Sequence, residues 1–452
     1  MADRGCNPAN CYYNSRLMGI LDHIKQQYDR LQAEDTTGGF QLFRKKAFDS
    51  FMRFGIPVKH EEWKYTRISS LFNKEYKLNQ AAATPVTLNE LNQVRLPGYN
   101  TANELVFVNG IFSMPLSTIR TDKMVVIPLD EAGKGEYAEI VSKHLGHSSR
   151  YQKDGVNALN TAFVKDGVFI FIRKGQIVEQ PVYIYNITDS RSGNVLAQPR
   201  SLIYVSENAQ VQIVETYSTL GVDESFTNEV LEMVVDRDAR AEYYKIQNDS
   251  SHTNAVSTTH IRQIAKSYTH TVTISLNGGI VRNNLNLVLD AENCEGHLYG
   301  LYLQKGETHV DNHTIVDNVK PNCFSNELYK GIIDDKATGV FNGKIFVQPQ
   351  AQKTNAYQSN KNILLSDDAS VNTKPQLEIF ADDVKCSHGC TVGRLNEEGL
   401  FYLQSRGIPS KIARSLLLHA FAVDVLDHIK PEPIRDYVDK LISERLEFDG
   451  HD

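Results

Sequence analysis

The densest group of metal- and proton-handling side chains is the run Asp382-Asp383-Val384-Lys385-Cys386-Ser387-His388-Gly389-Cys390. In an extended segment, residues two apart share a face. Cys386, His388 and Cys390 then line up on one side and offer two thiolates and an imidazole. Such soft and borderline donors suit Fe–S clusters, Zn²⁺ or Cu(I). On a straight strand, neighbours on one face stand roughly 6–7 Å apart. That is too far for two of them to share one metal at bonds of about 2.3 Å. The run therefore predicts no closed zinc site of its own, but it can lend one or two ligands to a centre completed by another chain. The competing interpretation is a pair of buried, inert cysteines and a hydrogen-bonded histidine on a core face.

Other groups are weaker. Cys6 and Cys11 form a chance pair near the N-terminus, and Cys294 and Cys323 are expected as isolated core residues. His309-Val310-Asp311-Asn312-His313 fits a hydrogen-bonded stack better than a ligand set, and Glu61-Glu62-Trp63-Lys64-Tyr65 fits a packed surface corner. Gly339-Val340-Phe341-Asn342-Gly343-Lys344 falls one residue short of a phosphate loop and continues with Ile345, so it is expected to flank a strand. The chain has no Gly-x-Gly-x-x-Gly after a strand, no His-Glu-x-x-His and no Gly-x-Ser-x-Gly, and so shows no engine for hydride transfer or hydrolysis.

The elements that must position these residues change character along the chain. Residues 1–100 are expected to be helical: Leu17, Ile20, Leu21, Ile24, Tyr28 and Leu31 recur at helical spacing. A break at Gly38-Gly39 leads to a second helix with Phe43, Phe48 and Phe51, stopped by Gly55 and Pro57. From about Leu105 to Ile379, short apolar runs alternate with period two, as in Val168–Ile172, Val182–Ile187 and Leu285–Leu289, with no amphipathic helix between them. Centres near Ile274, Leu287, Leu301 and Ile315 are roughly 13–14 residues apart. Periodicity alone does not separate a sandwich from a solenoid, but so long a block without a repeated sandwich unit leans towards the solenoid. Helices return beyond Gly393, the first capped by Asn396 and ended by Gly407, with strongly apolar Ile412, Leu416, Leu417 and Phe421 in the next. The domain expectation is 1–100 helical, 101–390 β and 391–452 helical.

Composition bounds the function. The chain has 452 residues, 41% of them apolar, and a net charge of −7. An acidic balance argues against nucleic-acid or anionic-membrane partners. No apolar run approaches the roughly 18 residues that span a bilayer. Six cysteines are too few for a disulfide framework, and with a polar N-terminus the expected compartment is the cytoplasm.

The string Thr373-Lys374-Pro375-Gln376-Leu377-Glu378-Ile379-Phe380-Ala381-Asp382-Asp383-Val384-Lys385-Cys386-Ser387-His388-Gly389 resembles the signature of the SufB/SufD family of iron–sulfur cluster assembly proteins. Tyr329-Lys330-Gly331, Val340–Lys344, Ala351–Thr354, Phe401-Tyr402-Leu403 and Ser405–Ile408 extend it. Glu61–Thr66 and the Cys-Ser-His-Gly string place the resemblance on the SufD branch. Asn360-Lys361-Asn362 stand before Leu364-Leu365, where SufB-type chains carry a cysteine, and Cys390 stands where the family commonly has a small residue. The resemblance implies a right-handed parallel β-helix core flanked by helical regions. It implies a non-catalytic scaffold subunit that pairs with a SufB-type paralogue and a SufC-type ABC ATPase, or with itself when alone. His388 and Cys386 would meet a transient Fe–S cluster shared with the paralogue, and no cofactor would be tightly held; Cys390, a departure from the family pattern, is a candidate third donor by its spacing alone. The C-terminal helices, through Phe401, Tyr402, Arg406, Leu416 and Phe421, would dock the ATPase. Two other classes remain as alternatives: a β-helix enzyme acting on polysaccharide, which wants clustered carboxylates on one face, and a stand-alone metal-binding protein.

Overall fold

The computed structural model describes residues 8–34, 40–58, 60–78, 82 and 84–446. From Arg200 onward, successive strands fall alternately into two sheets. One runs through Ser225–Val235, Thr253–Gln263, Ile280–Leu289, His309–Asn318, Thr338–Val347 and Ser370–Ile379. The other runs through Arg240–Asn248, Tyr268–Asn277, Glu295–Gln304, Phe324–Ile333, Asn355–Leu364 and Lys385–Gly393. Every pairing along these two series is parallel, which makes a β-solenoid of about eight turns. The 13–14-residue spacing is thus half a turn.

Alternation sets the interior. Ile213, Leu231, Tyr243, Ile261, Leu287, Leu298, Tyr329, Phe341 and Ile345 point between the sheets and form one continuous core. The corners need left-handed backbone, and Asn208, Asp238, Asn293, Asn322 and Asp335 all adopt φ between 52° and 60° there. Their short polar side chains tolerate that region better than most.

The outer faces are covered by helices. Ile434, Val438 and Ile442 of Glu432–Leu446, with Leu418 and Val425 of Ser410–Leu426, pack on the second sheet around Tyr244, Val272 and Leu301. Ile20, Ile24 and Tyr28 of Pro8–Glu34, with Phe48 and Phe51 of Gln41–Phe54, build a separate cluster that reaches Phe226 and Val256 on the first sheet. The Glu61–Thr66 motif clamps this side. Trp63 lies 3.8 Å from the Arg282 guanidinium and donates to Asp154 at 3.2 Å, while Glu62 accepts from Lys344 at 2.6 Å. The expected packed corner is present.

Two expectations need correction. The block from Leu105 is interrupted: helices Leu129–Ala132, Ala138–His144 and Gly155–Ala162 precede the regular turns. The last is wholly buried and started by Asp154, whose carboxylate accepts from the Val156 and Asn157 amides. It is only eight residues long, shorter than the roughly 10–12 residues over which periodicity separates a helix from a short buried strand. The β region also continues past Ile379 to Gly393, because Lys385–Gly393 is the final strand. The Asn396 cap is observed, its Oδ1 accepting from Gly399 N at 2.9 Å. The Gly38-Gly39 break, Cys6 and the tail from residue 447 lie outside the described residues.

Candidate functional site at the open end

Among the described residues, Ser370–Ile379 pairs only with Thr338–Val347, and Lys385–Gly393 only with Asn355–Leu364. Both sheets therefore end at the same place with a free strand edge. Backbone N–H and C=O groups on such an edge offer a template for another strand. Pro375 sits on the first of these edges and lacks an N–H to offer, whereas Lys385–Gly393 contains no proline.

Register decides which way the candidate donors face. Cys386 pairs with Ala356, His388 with Gln358 and Cys390 with Asn360. Ala356, Gln358, Asn360 and Asn362 alternate as the buried residues of their strand. Cys386, His388 and Cys390 therefore share the lumen-facing side at the mouth of the solenoid, as their spacing predicts. Cys386 is half-buried against the core, and burial pushes its thiol pKa up. His388 and Cys390 are exposed. Among the described residues, no three of His, Cys, Asp and Glu converge to hold a metal ion. The arrangement is neither a closed metal site nor an inert core pair. It is a row of donors at an uncovered edge.

Beneath the mouth the lumen turns polar. Gln358 Nε2 donates to Glu327 Oε2 at 2.7 Å, and burial pushes the Glu327 carboxyl up to about 7. Asn360 Nδ2 donates to Tyr302 Oη at 3.1 Å, Tyr302 Oη to Asn362 Oδ1 at 2.5 Å, and Asn362 Nδ2 to Asn360 Oδ1 at 2.7 Å. Two glycines make the space. A Cβ on Gly331 would stand 2.3 Å from the Tyr302 ring and 2.4 Å from Asn362 Oδ1. One on Gly343 would stand 2.3 Å from Gln358 Nε2. The Tyr-Lys-Gly and Phe-Asn-Gly-Lys motifs thus have a packing cause, and Gly339–Lys344 is strand rather than phosphate loop. Sequence reasoning missed Glu327, Gln358 and Asn362. The available signal was polar residues at alternate positions where apolar ones were expected.

On the outer face, Lys330 donates to the Phe421 carbonyl at 2.8 Å, ion-pairs with Asp424 and sits 4.3 Å from the Phe421 ring centre. This fixes Ser410–Leu426 next to the last turns. Phe401, Tyr402 and Leu416 are 72%, 57% and 49% exposed, and Arg406 stacks over Tyr402. Phe421 departs from the expected free face: it is half-buried as an internal anchor, because the Lys330 cation holds its ring and carbonyl. Cys294 and Cys323 are buried in the core of neighbouring turns, as expected, but they are not isolated: the two thiols face each other across the turns. His309 and Asp311 meet Thr66, and Asp311 pairs with Arg282 at 3.0 Å, so that run is structural.

Two family profiles tile the chain. One, described as the SufBD protein N-terminal region, matches residues 20–184; the other, SUF system FeS cluster assembly, SufBD core domain, matches 186–421. The chain belongs to the SufBD family. An iron–sulfur cluster assembly SufBD family protein of Synechocystis is 32% identical over 402 residues, covering 85% of this chain and 86% of its own. The iron–sulfur cluster assembly protein SufD of Escherichia coli is 29% identical over 432 residues, covering 94% and 96%. The chloroplastic protein ABCI7 of Arabidopsis thaliana is 33% identical over 288 residues, covering 62% and 60%. As a SufBD protein, this chain functions in iron–sulfur cluster assembly as a scaffold component of the SUF system. None of its described helices is long and apolar enough to cross a membrane.

Proposed function

We propose that this SufBD chain is the SufD-type subunit of the scaffold. It joins its open solenoid end to that of a SufB-type paralogue and presents His388 and Cys386 to a nascent Fe–S cluster as substrate. The observation that carries this is the free edge of Lys385–Gly393 with its donor row on the lumen side. A partner strand added there would extend the sheet by backbone hydrogen bonds. It would also bring its own donors to within one strand spacing of His388, about 4.8 Å. An incomplete ligand set suits a scaffold, which must release what it builds. A neutral imidazole ligates iron and serves as an exchangeable member of a mixed set.

The exposed group Phe401, Tyr402, Arg406 and Leu416 is the face offered to a SufC-type ATPase. Because Lys330 ties Ser410–Leu426 to the Phe324–Ile333 strand, movement of the helices on ATP binding would reach the open end two turns away. On this account the chain itself does no bond-breaking chemistry.

The test is to co-express the full chain with SufB-type and SufC-type subunits of the same genome. His388→Ala should leave the complex assembled and slow cluster accumulation at least tenfold. Val392→Pro, which removes an N–H from the free edge, should prevent pairing with the paralogue. Normal cluster accumulation in assembled His388→Ala complex would refute the site. Unimpaired pairing of Val392→Pro would refute the interface.

A further inference from the structure

His388 is the outermost member of a column that runs into the lumen: Glu327 pairs in register with Gln358, and Gln358 with His388. Gln358 is 4% exposed and Glu327 2%. At 2.7 Å Gln358 Nε2 donates to Glu327 Oε2, which turns the amide oxygen away from Glu327, and an ionised carboxylate, which can only accept, locks that orientation. That leaves Gln358 Oε1, which is buried and has no hydrogen-bond partner among the described residues. The neighbour of Gln358 on the other side of the ladder is His388. Gly343 makes the arrangement sterically possible, since a side chain there would collide with the Gln358 amide.

We propose that Glu327 and Gln358 are positioning residues for His388, Glu327 fixing the Gln358 amide so that its Oε1 accepts the proton-bearing ring nitrogen of His388. One imidazole nitrogen is then committed to the protein, and the other keeps its lone pair directed out of the mouth. This is the logic by which a hydrogen bond from the non-ligating nitrogen selects the tautomer and aims the ring of a metal-binding histidine. The inference rests on the reading of His388 as a cluster ligand, and it adds how a side chain on an uncovered edge strand is prepared for that role. Both positioning groups lie in the interior, where a partner chain leaves them in place.

The test uses the full-length chain alone, with Co²⁺ as the probe and ¹⁵N-labelled histidine. The His388 signals are assigned by their loss in His388→Ala. At pH 8 or above, where Glu327 is ionised, the neutral His388 ring of the wild-type protein should populate one tautomer. Gln358→Leu should give a mixture of both and weaken Co²⁺ binding by 10- to 100-fold, the usual effect of losing such an outer partner. Glu327→Gln keeps the shape of the side chain but no longer dictates the amide orientation; it should also give mixed tautomers, which keeps the idea testable should Gln358→Leu fold poorly. A wild-type tautomer ratio unchanged in both variants overturns the proposal. If His388→Ala weakens Co²⁺ binding and Gln358→Leu does not, the positioning role is wrong and the ligand role stands. If His388→Ala leaves Co²⁺ binding unchanged, the ligand role itself is wrong.

Discussion

Burial of Glu327 makes a quantitative claim about stability. Its carboxyl titrates at about 7 in the folded protein against an ordinary value of 4.5, because burial disfavours the charged form more than the Gln358 hydrogen bond favours it. Between those two values the folded chain holds a proton that the unfolded chain has released. Stability therefore falls as pH rises from about 4.5 through 7, at up to about 1.4 kcal/mol per pH unit. Above pH 7 the accumulated loss is about 3 kcal/mol. Glu327→Gln cannot ionise, so its stability relative to wild type should be about 2–3 kcal/mol more favourable at pH 8 than at pH 5, where part of the loss has already occurred. With an unfolding entropy near 2.1 cal/mol/K per residue, that corresponds to about 3 °C for a chain of this length. The assay is calorimetry of both proteins at the two pH values. Every other titrating group is common to both chains and cancels in the comparison. A difference between variant and wild type that is the same at pH 5 and pH 8, or that has the opposite sign, would refute the assignment of Glu327 as a buried, titrating carboxyl.

Three further outcomes follow from the packing. Gly343→Ala places a methyl 2.3 Å from Gln358 Nε2 and 2.7 Å from the Phe341 ring, and should cost roughly 1–3 kcal/mol by overpacking, read as a lowered melting temperature. Arg282→Met removes the cation that stacks on Trp63 and pairs with the buried Asp311; it should cost roughly 3–5 kcal/mol and speed amide exchange around Trp63. Lys330→Met should loosen Ser410–Leu426 by roughly 1.5–3 kcal/mol, seen as faster exchange in that helix while Glu295–Gln304 keeps its protection.

The sequence alone determined the class of the molecule. Period-two alternation over so long a block leaves room for little except a large β architecture, and the Cys386, His388, Cys390 spacing puts the three donors on one face wherever the strand lies. The Asn396 cap and the Gly407 stop were legible because capping is a local matter of a few residues. The family resemblance rested on short strings whose packing cause was hidden: Gly331 is a glycine because Tyr302 and Asn362, one turn away on either side, fill the space a side chain would need, and Gly343 because Gln358 on the facing strand does. The buried helix Gly155–Ala162 was not legible, because eight residues are too few for helical periodicity to stand out from a short β run. Only the tertiary structure decided that the donor row faces the lumen rather than solvent, that it lies on the last strand of its sheet, and that a buried carboxyl and amide stand behind the imidazole. The physical reason is that facing and edge status in a solenoid are properties of register between turns about thirty residues apart, and no local pattern carries that register.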